Sequence, residues 1–450
     1  MKYEGSKVTD INLAYIGGGS RGWAWSFMSD LAVEESLSGT VRLYDIDKTA
    51  AKNNEIIGNR LYDRDDVKGK WKYQAVATLE EALTGADFVI ISILPATFQE
   101  MWSDVHTPEK YGIYQTTGDT TGPGGIVRAL RTIPMYEEIA ENIKKYAPEA
   151  WVINYTNPMT LCVRTLYEVF PEIKAFGCCH EVFGTQNLLA RAVEEYLGVE
   201  RPRRDEIKVN VLGINHFTWL DKATYQGMDL MPLYADFVDK YYEEGYRDNQ
   251  RVKFDLFKRY GLIAAAGDRH LVEFLPGKWY LKDKETIDHW KVRMVHVQSR
   301  IDGLKERMAK SERLVNNEEE FELKRSGEEG VRQIKAILGL GDLVTNVNLP
   351  NYGQTPDLPE GAVVETNALF SKDSVRPVQA GTMPIPVRNL VMQQVLNQET
   401  VLRAAINRDK ELAFQAFIND PLVTIDLKEA RALFEEMLEN TKDYLPGYDI

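Results

Sequence analysis

The sequence predicts an α/β protein: a doubly wound parallel sheet over residues 1–182, followed by an α+β domain over residues 183–450. Three observations predict it. Apolar, β-branched runs alternate with helix-length segments through the first half, a glycine-rich turn directly follows the first run, and the alternation gives way at Val209–Leu220. In order, Ile11–Gly17 and Val41–Asp47 are predicted strands, with a helix around Trp23–Val33 between them. Asp87–Leu94 and Trp151–Thr156 are apolar runs of the kind buried on both faces of a parallel sheet. Lys174–Cys179 is a shorter run before a helix through Leu188 and Ala192. Residues 301–330 carry 15 charged side chains in 30, which predicts a solvated helical excursion or a mobile flap. Beyond Gln398, the spacing of Val401, Leu402, Ala405, Ile406, Leu412 and Phe417 fits amphipathic helices.

Composition excludes several functional classes. The charge sum is 54 − 68 = −14, so neither nucleic acid nor an anionic membrane surface is an expected partner. The longest apolar runs, such as Phe88–Leu94, fall far short of the ~20 residues that span a bilayer. The N-terminus runs directly into a strand pattern without a signal-peptide apolar region. Three cysteines, Cys162, Cys178 and Cys179, exclude a disulfide scaffold and point to a reducing cytoplasm.

Gly17, Gly19 and Gly22 form G-x-G-x-x-G between a strand and a helix, the Rossmann-type turn. The first glycine permits the tight turn, the second lets backbone approach a pyrophosphate, and the third is expected to let helix and strand pack closely. The phosphates then face a helix N-terminus. Asp45, 23 residues beyond Gly22, is the expected ribose partner, with Asp47 beside it. An acidic residue there repels a 2′-phosphate, so NAD is expected rather than NADP.

A second set of residues carries metal and acid–base chemistry. Cys178-Cys179-His180-Glu181 follows a predicted sheet strand, where open α/β sheets place ligands. Asn215-His216 follows another, and Asp268, His270 and Glu273 cluster in GDRHLVEF. A cysteine with two or three histidines is a divalent-metal set, and by ligand softness alone it suggests zinc.

The motifs NYTNPM (154–159), GCCHEV (177–182) and GINHF (213–217) occur in order behind the glycine turn. With TTGPGGIVRALRTIP (120–134) and AVVET (362–366), they resemble glycoside hydrolase family 4. That family stands outside the two-carboxylate scheme of most glycosidases. The stretch Cys179-His180-Glu181-Val182 is similar to the version in the subgroup that acts on α-galacturonides.

The resemblance implies a lactate/malate dehydrogenase-like nucleotide domain and a C-terminal domain for catalysis, substrate and oligomerisation. It implies Cys179 and His216 as ligands of Mn²⁺, His180 as the acid for the leaving group, and Asp268 as the base at sugar C2, with Tyr260 and Tyr242 as rivals. Asn157 matches the substrate-binding asparagine. Among Arg128, Arg131, Arg269 and Arg293, Arg269 is the first choice for a uronate carboxylate. The role of Glu181, a carboxylate beside an anionic substrate, stays open. The implied route is hydride removal at C3 by NAD, C2 deprotonation, elimination, water addition and hydride return. The expected substrate is an α-galacturonide or short oligogalacturonate, and the expected assembly a homodimer or homotetramer. An α-glucoside, α-glucuronide or α-galactoside is the alternative substrate. A hydroxyacid dehydrogenase is the alternative class, opposed by the Cys179/His216 pair.

Overall fold

The computed structural model describes residues 1–243 and 250–450. Its first seven strands are β1 (Lys2–Glu4), β2 (Lys7–Ile16), β3 (Leu37–Tyr44), β4 (Trp71–Ala75), β5 (Phe88–Ile91), β6 (Trp151–Asn154) and β7 (Lys174–Gly177). Strands β4-β3-β2-β5-β6-β7 pair side by side and all in parallel, the doubly wound order expected of a dinucleotide fold.

Alternation along the strands explains the layering. Leu13, Tyr15, Phe88, Ile90, Ile153 and Phe176 pack in one core with the helices Trp23–Ala32 and Lys48–Tyr62. Their neighbours Ala14, Ile16, Val89, Ile91, Val152 and Ala175 pack in another, with the helices Gly122–Tyr146 and Met159–Val169. Both faces are therefore covered, which is why these strands read as continuous apolar runs.

A second sheet is antiparallel: β8 (Ile207–Ile214), β9 (Phe217–Tyr225), β10 (Met228–Asp229) and β11 (Ile263–Ala264), with β9 paired to the other three. The chain then returns to the first sheet. Strands β12 (Leu343–Pro350), β13 (Val363–Ser371) and β14 (Ser374–Pro377) extend it antiparallel beyond β7. Among the predicted C-terminal helices, Ile385–Asn407 buries Val391, Val395 and Leu402 in one core with Ile126, Leu130 and Ile133 of the helix Gly122–Tyr146.

The charged stretch divides in two. Val297–Val315 is a helix that buries only Val297, Ser311 and Leu314, the solvated excursion expected. Residues 316–329 are not a free flap but a strap bonded to the first domain. Lys324 exchanges two hydrogen bonds with Ser29, its carbonyl accepting from Oγ at 2.8 Å and its N–H donating to Oγ at 2.7 Å. Ser326 N–H donates to Asp30 at 2.8 Å, and Arg64 donates to the Phe321 carbonyl at 2.6 Å. Among the described residues, no helix is long and apolar enough to cross a membrane.

Candidate active site

The glycine turn closes on the sheet. Gly17 has φ +91°, and a Cβ there would lie 2.0 Å from the Ser92 carbonyl oxygen. A Cβ on Gly18 would meet Leu43 Cα at 2.8 Å and one on Gly19 would meet Ala50 Cβ at 2.7 Å, so all three turn glycines are held close to their neighbours. Gly22 is different: a Cβ there meets nothing within 4 Å, which corrects the packing role expected of the third motif glycine. Gly22 is instead the residue before the helix Trp23–Ala32, where Ser20 Oγ accepts from Trp23 N–H at 3.2 Å. Asp45 Oδ2 accepts from Gly19 N–H at 2.8 Å and Oδ1 from Asp47 N–H at 2.9 Å, while burial raises its pKa. Asp47 caps the helix Lys48–Tyr62 through Ala50 N–H. The two acidic residues thus have separate tasks, and Asp45 is the one at the turn.

Asn215 and His216 form the two-residue turn between β8 and β9. His216 sits in the left-handed region at φ +63°, a conformation that costs a β-carbon residue about 1–3 kcal/mol and recurs at functional sites. Its ring stacks on His270, centroids 3.8 Å apart, and its Nδ1 lies 3.0 Å from Thr120 Oγ1. Asp119, His216 and His270 bring ligand atoms within 4.8 Å of one another, and all three residues are buried. Burial, with His270 nearby, lowers the His216 pKa to about 3, so the ring is neutral near pH 7. Burial opposes charge on Asp119, but His216, His270 and Arg128 hold its carboxyl below the usual range.

Two distant carboxylates set the loop that carries Asp119. One oxygen of buried Glu273 accepts from the N–H groups of Thr116, Thr117 and Gly118 at 2.7, 2.8 and 3.0 Å. Asp420 accepts from Thr121 Oγ1 at 3.0 Å and Gly122 N–H at 2.9 Å. Burial raises Glu273 to about 7 and Asp420 to about 6.

The Cys179-His180-Glu181 stretch lies between β7 and the helix Glu181–Leu197. Cys178 points away, its Sγ on Gln333 at 3.0 Å, consistent with a buried structural thiol. Cys179 is half-buried; desolvation, with Glu365 and Glu181 nearby, pushes its thiol well up. It does not belong to the Asp119–His216–His270 group. Glu365 of β13 ties this region to the hairpin, accepting from Asn215 at 3.0 Å and from Asn346 at 2.6 Å. Asn346 also donates to the Cys179 carbonyl at 3.3 Å. His180 is exposed; Glu328 lies 3.0 Å from its Nδ1 and raises its pKa.

Glu181 is largely shielded from solvent and lies 4.0 Å from His180 Nε2. One oxygen pairs with Arg269 at 2.9 Å and the other accepts from Gly267 N–H at 2.8 Å. His270 Nε2 lies 3.5 Å from it. Desolvation opposes the charge, yet His270, His216 and Arg269 hold the carboxyl well below its ordinary range.

Asn157 stands at the cis Asn157–Pro158 peptide with its Nδ2 3.4 Å from Asp119. Its Oδ1 is buried without a partner, as are Nδ1 of His270 and one terminal nitrogen of Arg128. Arg128 donates through Nε to the Asn157 carbonyl at 3.1 Å. Arg131 is removed from contention by a fully buried pair with Asp104. Arg293 is exposed, whereas half-buried Arg300, absent from the sequence-based choices, lies within electrostatic reach of Asp119 and Arg269.

Asp268 opens the short helix Asp268–Leu271 and is buried. Its oxygens accept from Val252 N–H at 2.9 Å and Lys253 N–H at 3.0 Å, and burial raises its pKa to about 7. Buried Lys253 donates to Thr185 Oγ1 at 2.6 Å and is lowered by burial to about 8. Of the rival tyrosines, Tyr242 donates to Asp255 at 2.7 Å and Tyr260 packs edge-on to Trp219.

Sequence reasoning missed Asp119 and Arg300. Asp119 lies in TTGDTTGPGG, directly before the motif TTGPGGIVRALRTIP (120–134), and that position is its signal in the sequence.

The fold and the site define an enzyme of the doubly wound α/β class, with its polar groups gathered beyond the carboxyl ends of parallel strands. Residues 12–195 match the model for family 4 glycosyl hydrolase, and residues 211–423 the model for the family 4 glycosyl hydrolase C-terminal domain. The chain belongs to this family and is a glycoside hydrolase. It is 65% identical over 463 aligned positions to an Alpha-galacturonidase of Thermoanaerobacterium saccharolyticum, covering 100% of both chains. The crystal structure of lplD from Bacillus subtilis superposes with a TM-score of 0.91 at 52% identity, covering 96% of this chain and 100% of that one. A 6-phospho-alpha-glucosidase from gut microorganisms, solved with NAD and Mn²⁺, shares the fold at a TM-score of 0.81 and 20% identity, over 98% of this chain and 100% of that one.

Proposed function

We propose that this chain hydrolyses α-D-galacturonides, singly or as short oligogalacturonates, with NAD and Mn²⁺ as cofactors that are not consumed. The observation that carries the reading is its full-length likeness to a chain named Alpha-galacturonidase.

The residues present fit both cofactors. Gly22, where a Cβ would meet nothing within 4 Å, leaves the N-terminus of the helix Trp23–Ala32 open to a phosphate, and Asp45 stands beside the turn for a ribose. Neutral His216, ionised Asp119 and His270, with its unpartnered Nδ1, form a mixed nitrogen–oxygen donor set suited to Mn²⁺. Cys179 is the fourth proposed ligand and must release its proton to bind. When bound, NAD accepts and returns a hydride at sugar C3, and the divalent cation acidifies C2–H as a Lewis acid.

The chain's own residues do the rest. Asn157, with its free Oδ1, accepts from a sugar hydroxyl. Arg269, Arg128 and Arg300 supply positive charge for the uronate carboxylate, Arg269 first because its side chain is 41% exposed whereas Arg128 is buried. Glu181 holds Arg269 in place, and this pairing neutralises the Glu181 carboxylate beside an anionic substrate. Asp268, raised to about 7, has a basicity suited to taking the C2 proton near neutral pH. His180 gives its proton to the departing glycosidic oxygen. Three free cysteines suit a reducing cytoplasm, and we place the enzyme there as a homodimer or homotetramer.

The test is release of galacturonic acid from digalacturonate under reductant, with NAD⁺ and Mn²⁺ added singly and together. Activity that needs both, without accumulating NADH, is the expected result. Accumulating NADH indicates a dehydrogenase, and turnover only of an α-glucoside, α-glucuronide or α-galactoside rejects the uronate assignment.

A further inference from the structure

His180 presents an imidazole whose side chain is 48% exposed, and an exposed ring is free to rotate unless something holds it. Its Nδ1 lies 3.0 Å from Glu328 Oε1, while Nε2 is 4.0 Å from Glu181, beyond hydrogen-bond distance. The indole of Trp23 lies beside the ring, centroids 6.2 Å apart. One nitrogen is therefore engaged and the other is left for a substrate.

The engaging carboxylate comes from the strap, 148 positions away in sequence. The strap is registered to the glycine turn through a continuous set of contacts. Phe321 packs edge-on to Trp25 at 6.2 Å, Trp25 donates to Asn54 at 2.8 Å, and Asn54 donates to the carbonyls of Gly18 and Ser20 at 2.8 and 3.0 Å. Glu328 itself is fixed on both sides. Its N–H donates to Ser326 Oγ at 3.0 Å, and the following Glu329 pairs with Arg204. Two residues on, the helix Gly330–Ile337 begins against Tyr155, whose hydroxyl would lie 2.2 Å from a Cβ on Gly330.

We propose that Glu328 is the positioning residue of His180: it holds Nδ1–H and so aims Nε2 at the oxygen of the leaving group. This rests on the reading of His180 as the acid of the glycosidase. In that step the Nε2–H bond breaks, an O–H bond forms on the departing oxygen, and the C1–O electron pair stays with that oxygen. An orienting carboxylate behind a histidine is a recurring device of acid–base sites. Neither catalytic motif contains this one.

The test is a series of aryl α-D-galacturonides of graded leaving-group pKa, together with digalacturonate, assayed on wild type, E328A and E328Q. Wild type is expected to show little dependence of kcat/KM on the leaving group. E328A should fall progressively as the leaving group worsens, by about tenfold or more on digalacturonate, with little loss on a nitrophenyl substrate. E328Q, whose amide oxygen still accepts from Nδ1–H, should stay close to wild type. H180A should share the slope of E328A. An E328A slope equal to wild type, or an equal loss across the whole series, overturns the assignment. Should E328A fail to fold, E328D, with the carboxylate drawn back by one methylene, must give the same contrast. Wild-type protein inactive on every galacturonide would instead overturn the functional reading beneath it.

Discussion

Glu181 and Arg269 face each other at 2.9 Å, 88 positions apart in sequence. The pair joins the helix that follows the Cys179-His180 stretch to the segment that carries Asp268 and His270. Glu181→Gln keeps an acceptor for Gly267 N–H but removes the charge that holds the guanidinium. We expect kcat/KM on digalacturonate to fall by about tenfold, with the melting temperature little changed. Steady-state kinetics check this, and an unchanged kcat/KM would show that Arg269 needs no such anchor.

Metal binding should release a proton from one ligand and none from another. His216 is already neutral near pH 7, its pKa lowered to about 3, whereas the Cys179 thiol is pushed well up. Mn²⁺ affinity should therefore rise with pH, since each binding event displaces the thiol proton. Calorimetric titration in two buffers of different ionisation enthalpy measures that release. C179S should abolish it, while His216→Ala and Asp119→Asn should weaken binding by about ten- to a hundredfold. Release unaltered in C179S would remove Cys179 from the ligand set.

Glu273 should make stability depend on pH. Its pKa is raised from 4.5 to about 7 by burial, so the folded protein keeps a proton that the unfolded chain loses across this interval. Its contribution is full below about 4.5 and is lost as pH rises through about 7, on the order of 1–3 kcal/mol. E273Q cannot ionise. Urea midpoints at pH 5 and 8 should show E273Q gaining on wild type at the higher pH. A constant difference between the two proteins would contradict this.

The glycines of the turn should not be equivalent. Gly18→Ala drives a methyl to within 2.8 Å of Leu43 Cα, and should lower stability by about 2 kcal/mol or more and weaken NAD binding. Gly22→Ala meets no atom within 4 Å and should leave stability close to wild type. Melting curves and NAD titration by tryptophan fluorescence separate the two, and equal destabilisation would argue against the observed packing.

The parallel sheet and the glycine turn were legible in the sequence because their determinants are local. Alternation of Leu13, Ala14, Tyr15 and Ile16 between two cores needs no distant partner to be read. The same holds for Cys179-His180-Glu181, contiguous at a strand end. The roles of Glu181, Glu273 and Glu328 were not legible, because each depends on a group 86 or more positions away. Glu328 was also hidden by its neighbours: a dense run of charges ordinarily means solvent, and here one of them turns inward to a histidine. The third glycine misled for the opposite reason, since the motif assigns it a packing role that the local geometry gives to Gly18, against Leu43, and Gly19, against Ala50.

The first sheet is completed out of order. Strand β7 waits for β12, and their pairing joins Gly177 to Asn348, 171 positions later. A growing chain therefore carries an unpaired strand edge until residues near 350 have left the ribosome, and such edges invite association with other chains. The contact is also among those of long sequence separation, whose closure slows folding. Synthesis, rather than the finished molecule, is where this protein is most exposed to aggregation, and its dependence on chaperones should end once β12 has emerged.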